Sequence, residues 1–302
     1  MTRLHTEAAK ESLLRRMRKQ RLRYIAVLPS LVTLLNGICG LVAIGFASQG
    51  NKVGGDPAVK YFAMAGYMIL FAMIADMLDG RLARMSQSTS SFGGQLDSLC
   101  DIVSFGVAPA FLVLKILEPR LAVISAHNAA IGSFAERGVW LAAGAYFSCA
   151  AIRLARFNVE NEEDESAHMS FVGLPTPAAA GVIVSLILFH QEALPDIMTA
   201  GTAIYSILEN AIIYLLPLVT LGIAVLMVSR IRYAHILNQY IKGKKPFALL
   251  IRTLLFLGLI VLSRQAALVL LFCGFAISGF AKWFYFRVIR KSAPSLAEPS
   301  VQ

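Results

Sequence analysis

Four aspartates fall within 26 residues, and their spacing points to one kind of chemistry. The chain reads Asp76-Met-Leu-Asp79-Gly80-Arg81-Leu-Ala83-Arg84, then eight residues, then Gly93-Gly-Gln-Leu-Asp97-Ser-Leu-Cys-Asp101. Asp76 and Asp79 are three apart and Asp97 and Asp101 four apart, so each pair shares a helix face. An antiparallel helix pair with a short connection brings the four carboxylates together. In an apolar setting this is costly: an Asp at the centre of a spanning helix costs roughly 2.5–3.5 kcal/mol. Like charges at close range add to that. A divalent cation offsets the repulsion, and oxygen-only ligands suit Mg²⁺, Mn²⁺ or Ca²⁺ rather than zinc. A carboxylate-held cation with open positions suggests phosphate chemistry. Gly80, Ala83 and Gly93 are small enough to allow close helix packing and to leave backbone open to a bulky ligand. Snorkelling helix-end charges paired with Arg81 and Arg84 would account for two of the carboxylates, not for four.

The elements that must position these residues are spanning helices. Of 302 residues, 57% are apolar and 15% charged, against a usual ~25% charged. Mean hydropathy is +0.66. These values exclude a soluble globular enzyme, a disordered chain and a fibrous repeat. The net charge of +10 is spread between apolar blocks, which argues against nucleic-acid binding. The four cysteines, Cys39, Cys100, Cys149 and Cys273, lie far apart in apolar stretches with no C-x-x-C pair, so they read as small buried hydrophobes. Eight stretches approach the ~20 apolar residues that a span needs: 29–48, 58–79, 93–117, 138–157, 174–190, 210–228, 247–263 and 266–284. The last two are expected to form a tight hairpin. Residues 118–137 and 191–209 are mixed and could hold short interfacial pieces. No alternation sustained enough for a β-barrel is present.

With eight spans both termini share one side. The segments on that side hold 22 of the 28 Lys and Arg residues, which predicts cytoplasmic termini. The carboxylates then sit at the cytoplasmic ends of helices 2 and 3. Residues 1–28 form a basic segment. Its interleaved leucines fit an amphipathic helix on anionic lipid or a solvated topogenic tail. A cleaved signal peptide is not expected, because a long basic stretch precedes the first span and no small-residue cleavage site is suitably placed.

Arg153 and Arg156 are three apart at a cytoplasmic helix end. Without acidic neighbours in sequence, they invite a diphosphate or a carboxylate, or they serve as positive-inside anchors. Thr33 and Asn36 lie on one face of helix 1 and either contact a cytosine or hydrogen-bond neighbouring helices. The acidic run from Glu160 to Glu165 reads as a solvated loop, and the five histidines lack metal-ligand spacing. An ion-coupled transporter would also carry intramembrane carboxylates, but no inverted repeat supports one.

The aspartate string matches D-x-x-D-G-x-x-A-R-x8-G-x-x-x-D-x-x-x-D at every fixed position. It resembles the signature of the CDP-alcohol phosphotransferases, membrane enzymes with a six-helix core. Three more stretches resemble their bacterial and archaeal phosphatidylserine synthase branch. These are Leu28-Pro29-Ser-Leu-Val-Thr33-Leu-Leu-Asn36-Gly-Ile-Cys-Gly40, Ala151-Ile-Arg153-Leu-Ala-Arg156-Phe157-Asn158-Val159, and Phe171-Val-Gly173-Leu-Pro175-Thr-Pro177-Ala-Ala-Ala-Gly181. The resemblance covers about residues 28–190.

The resemblance implies an all-α membrane bundle. Its parts would be the basic segment 1–28, a core at 29–230, an added helical hairpin at 231–286 and a tail at 287–302. It implies transfer of a phosphatidyl group from CDP-diacylglycerol to L-serine with release of CMP; choline, inositol or glycerol phosphate are alternative acceptors. It implies Asp76, Asp79 and Asp97 as ligands of Mg²⁺ or Mn²⁺, with Ca²⁺ possible. Asp101 would be the general base, close enough to join the ligands. Thr33, Asn36, Gly80, Ala83, Arg84 and Gly93 would border the CDP-lipid, and Arg153 and Arg156 the serine carboxylate or a phosphate. It further implies a homodimer among membrane lipids, in a bacterial-type inner membrane, with its site facing the cytoplasm.

Overall fold

The computed structural model describes residues 29–52, 56–86, 91–163, 171–197, 202–233, 260 and 263–285. Among them, seven helices are long and apolar enough to cross a membrane. The chain is a multi-pass helical bundle. In chain order the elements are α1 (Pro29–Gly50), α2 (Asp56–Ser86), α3 (Ser91–Asp101), a π-helical turn (Ile102–Val107) and α4 (Ala108–His127). Then come α5 (Ala129–Glu163), β1 (Phe171–Val172), α6 (Thr176–Leu188), a second π turn (Phe189–Ala193) and α7 (Leu194–Ile197). α8 (Ala203–Val228), β2 (Arg232–Tyr233) and α9 (Arg264–Phe284) follow. The basic segment 1–28, the apolar stretch 247–263 apart from residues 260 and 263, and the tail 287–302 lie outside the described residues, so the expected hairpin does too.

One expectation is corrected. The mixed stretch 118–137 does not break into short pieces. α4 runs through Pro119 to His127, and α5 begins two residues later. The separator is Asn128, whose Oδ1 accepts from the backbone N–H groups of Ala130 (3.0 Å) and Ile131 (3.1 Å). An Asn at that position satisfies donors that the first turn of a helix leaves open. With α3 and the π turn, the stretch Phe92–His127 is helical over 36 residues, or about 54 Å at 1.5 Å per residue. That exceeds a ~30 Å hydrocarbon core.

Lipid replaces water as the solvent of the outer faces, so Leu41, Leu141, Leu218 and Val225 are exposed. The interior of α1 and α2 is built from Ala43, Ala47, Ala63, Ala65 and Ala72, all buried. Small residues let backbones approach, which is how helices gain packing where lipid is as apolar as leucine. One close approach is between α1 and the π turn. A Cβ added to Gly40 would lie 2.5 Å from Ser104 Oγ and 2.7 Å from Ser104 Cα. No side chain fits there.

Two polar ties fix the remaining helices. At the end of the bundle away from the aspartates, Glu192 accepts from Tyr67 Oη (2.5 Å) and Gln265 Nε2 (2.6 Å), linking the second π turn to α2 and α9. At the aspartate end, β1 and β2 form a two-residue antiparallel ladder that joins the entry of α6 to the exit of α8. Gly173 follows with φ +85°, its N–H bonded to Ile231 O (2.9 Å), and a Cβ there would sit 2.2 Å from Met227 O. Only glycine takes that backbone conformation without strain.

Candidate active site

Asp76 and Asp79 lie near the C-terminal end of α2, and Asp97 and Asp101 end α3. Because α2 and α3 are joined by four residues, they run antiparallel and their acidic faces meet. Asp76, Asp97 and Asp101 each offer a carboxylate oxygen, and these three oxygens lie within 4.8 Å of one another. Asp79 is buried beside them, 4% exposed. Its Oδ2 and the Oδ1 of Asp97 are buried without a partner among the described residues. Buried, unpaired carboxylate oxygens facing like charge are what a divalent cation would satisfy, so the donor set fits one.

Helix α1 backs this cluster. Thr33 lies within hydrogen-bond reach of Asp79, and its hydroxyl also reaches Pro29 O of its own helix at 3.0 Å. Asn36, fully buried, donates from Nδ2 to Asp101 Oδ1 at 2.8 Å. Both α1 residues named from sequence therefore sit against aspartates. Gly80 borders open space: a Cβ there would meet nothing within 4 Å. Ala83 is half-buried one turn further on, and Gly93 is half-buried in the first turn of α3. The side chain of Arg84 lies outside the described residues.

The two arginines separate. Arg153 is largely buried and interacts electrostatically with Asp101. Its Nη1 donates to Thr176 Oγ1 at 3.3 Å, while its Nε is buried without a partner among the described residues. Arg156, three residues on, is exposed.

Sequence reasoning left several participants without a role. Thr176 is 1% exposed at the start of α6, held between Pro175 and Pro177. Its signal was a lone hydroxyl flanked by two prolines at a helix entry. Asn158 donates from Nδ2 to Ser98 Oγ at 2.9 Å, which ties α5 to α3 one residue after Asp97. The π turn gave no sequence signal. It follows Asp101 directly, and Tyr146, fully buried on α5, donates to Phe105 O within it at 2.8 Å. Such a turn disturbs the regular carbonyl pairing of a helix, and the tyrosine supplies a donor to it.

The chain matches the family model described as CDP-alcohol phosphatidyltransferase over residues 26–208. It is 31% identical to a CDP-diacylglycerol–serine O-phosphatidyltransferase of Helicobacter pylori over 262 residues, 86% of this chain and 92% of that one. It is 34% identical to the enzyme of that name from Methanocaldococcus jannaschii over 218 residues, 72% and 79% of the two chains. With its Bacillus subtilis namesake it shares 31% over 208 residues, 69% and 90%. The aspartate string, the helical core and these matches agree: the chain belongs to the CDP-alcohol phosphatidyltransferase family.

Proposed function

We propose that this protein is a phosphatidylserine synthase, converting CDP-diacylglycerol and L-serine to phosphatidylserine and CMP. The observation that carries this is the approach of three aspartate oxygens to within 4.8 Å, with the largely buried Arg153 interacting with one of them, Asp101. The names of the relatives supply the acceptor.

Asp76, Asp79, Asp97 and Asp101 would hold one or more divalent cations, Mg²⁺ or Mn²⁺. A cation there supplies charge neutralisation for the diphosphate and for the departing CMP. Gly80, Ala83, Arg84 and Gly93 border the nucleotide, and the open space beside Gly80 supports that. Asp101 accepts the proton of the serine hydroxyl as its oxygen bonds to the β-phosphorus. The bond from that phosphorus to the CMP oxygen breaks as the new one forms. Arg153, steadied by Thr176, holds the serine carboxylate through its planar fork of donors. Arg156 is placed to meet a phosphate at the same end.

The aspartate end faces the cytoplasm of a bacterial-type cell, with both termini on that side. What supports this is charge. The sequence segments expected on that side hold 22 of the 28 Lys and Arg residues. The parts are the basic segment 1–28, the core 29–230, the added hairpin 231–286 and the tail 287–302. A homodimer is expected from the family.

The deciding experiment incubates the purified protein with CDP-diacylglycerol, Mn²⁺ and a panel of acceptors: serine, choline, inositol and glycerol phosphate. Phosphatidylserine and CMP in equal amounts, from serine alone, are expected. A lipid product from another acceptor would replace serine. No CMP from any acceptor would overturn the reading.

A further inference from the structure

Asn36 has no room for a ligand. It is 0% exposed, covered by the α3 end and the π turn, and Gly40 one turn on is pressed against Ser104. Its amide makes one bond, Nδ2 to Asp101 Oδ1 at 2.8 Å, and its own Oδ1 is buried without a partner among the described residues. The reverse amide orientation would face oxygen to a carboxylate, so the donor must point at Asp101. Its backbone carbonyl is also held, accepting from Ser104 Oγ at 2.8 Å, three residues after Asp101. A residue kept for packing alone would not need the amide. Leucine would fill a similar volume without burying an unpaired oxygen. What the amide adds is a donor to a single carboxylate oxygen.

We propose that Asn36 is a positioning residue for Asp101. It engages Oδ1 and so turns the other oxygen, Oδ2, toward the cluster formed with Asp76 and Asp97. The bond between Ser104 and the Asn36 carbonyl locks α1 to the turn that follows Asp101, so the two ends of the tie cannot slide apart. This rests on the reading of Asp101 as ligand and base. It goes beyond that reading by assigning the orientation of Asp101 to a helix that carries none of the carboxylates.

The test uses full-length protein purified in detergent, stripped of metal, as wild type, Asn36→Leu and Asn36→Ser. Leucine keeps volume and removes the donor; serine is smaller and too short to reach Asp101. Mn²⁺ binding is titrated by the paramagnetic resonance of free Mn²⁺. Turnover is then measured with CDP-diacylglycerol and serine in mixed micelles. Mn²⁺ affinity weakened by roughly tenfold or more is expected, as for loss of a hydrogen bond to a charged group. A fall in kcat with the KM for CDP-diacylglycerol little changed should accompany it. Unchanged Mn²⁺ affinity in both variants overturns the proposal, whichever way the kinetics move. A raised KM with intact Mn²⁺ affinity would assign Asn36 to the nucleotide, and failure of both variants to fold would assign it to packing. If wild type binds Mn²⁺ and makes no phosphatidylserine, the acceptor reading fails. The difference in Mn²⁺ affinity between wild type and Asn36→Leu then still decides the positioning role.

Discussion

Arg153 on α5 reaches Thr176 at the start of α6, Nη1 to Oγ1 at 3.3 Å, and its charge interacts with Asp101 on α3. Three helices thus converge on one guanidinium whose Nε lacks a partner among the described residues. An anchoring arginine would point at headgroups; this one is turned toward the carboxylates. Arg153→Lys keeps the charge and loses the planar fork. The KM for serine should rise roughly tenfold to over a hundredfold, the range for a lost charge-assisted bond. The KM for CDP-diacylglycerol should hardly move. Thr176→Val should shift the serine KM in the same direction by less, because Arg153 remains. If the lipid KM moves instead, the guanidinium serves the diphosphate. Arg156→Lys is the comparison: exposed at the surface, it should disturb the serine KM least.

Metal removal should stop turnover. Asp76, Asp97 and Asp101 bring carboxylate oxygens within 4.8 Å, a repulsion that a bound cation would relieve. Chelation followed by verified zero metal content should abolish product, and Mn²⁺ or Mg²⁺ should restore it. Asp76→Asn and Asp97→Asn should each lose most activity and weaken Mn²⁺ binding. Both should still fold, since each removes a repulsive charge. A near-wild-type rate from either variant would falsify the ligand assignment.

The aspartate cluster was legible because its spacing states a helix face, and the seven spans among the described residues because lipid demands long apolar runs. The continuity of 118–137 was not. Pro119 and the polar residues around it look like a break, yet α4 continues through this interior proline to His127, and Asn128 supplies the true boundary. Thr33 and Asn36 were legible as polar residues on one face. Whether that face met a nucleotide or a carboxylate depended on the packing of α1 against α3. The π turn was invisible, since one extra residue per turn leaves no pattern in Ile102–Val107, a run of apolar and small residues.

Tyr146→Phe tests that turn. The hydroxyl is buried and donates to Phe105 O at 2.8 Å. Phenylalanine keeps the ring and leaves the carbonyl without this donor, at a cost of about 1–3 kcal/mol. Thermal unfolding in detergent should occur at lower temperature. Activity should also fall, since the turn begins at the residue after Asp101. Retained stability and full turnover would show that the bond has no part in shaping the site.

The final prediction compares two glycines of one helix. Gly40→Ala puts a methyl group within 2.5 Å of Ser104 Oγ and 2.7 Å of Ser104 Cα, and Cα belongs to backbone that cannot swing away. α1 must then separate from the π turn, which lengthens the Ser104–Asn36 bond of 2.8 Å and moves Asn36 away from Asp101. Overpacking of this kind costs about 1–3 kcal/mol. Gly45, five residues later on the same helix, is exposed and meets nothing within 4 Å. Gly45→Ala adds a methyl group toward lipid and should leave thermal stability unchanged or slightly raised, as alanine favours helix by up to about 1 kcal/mol over glycine. The same atom added to the same helix should therefore lower stability and turnover at Gly40 and neither at Gly45. Equal effects at the two positions would mean that α1 is insensitive to its distance from α3, and that the glycines matter only for helix propensity.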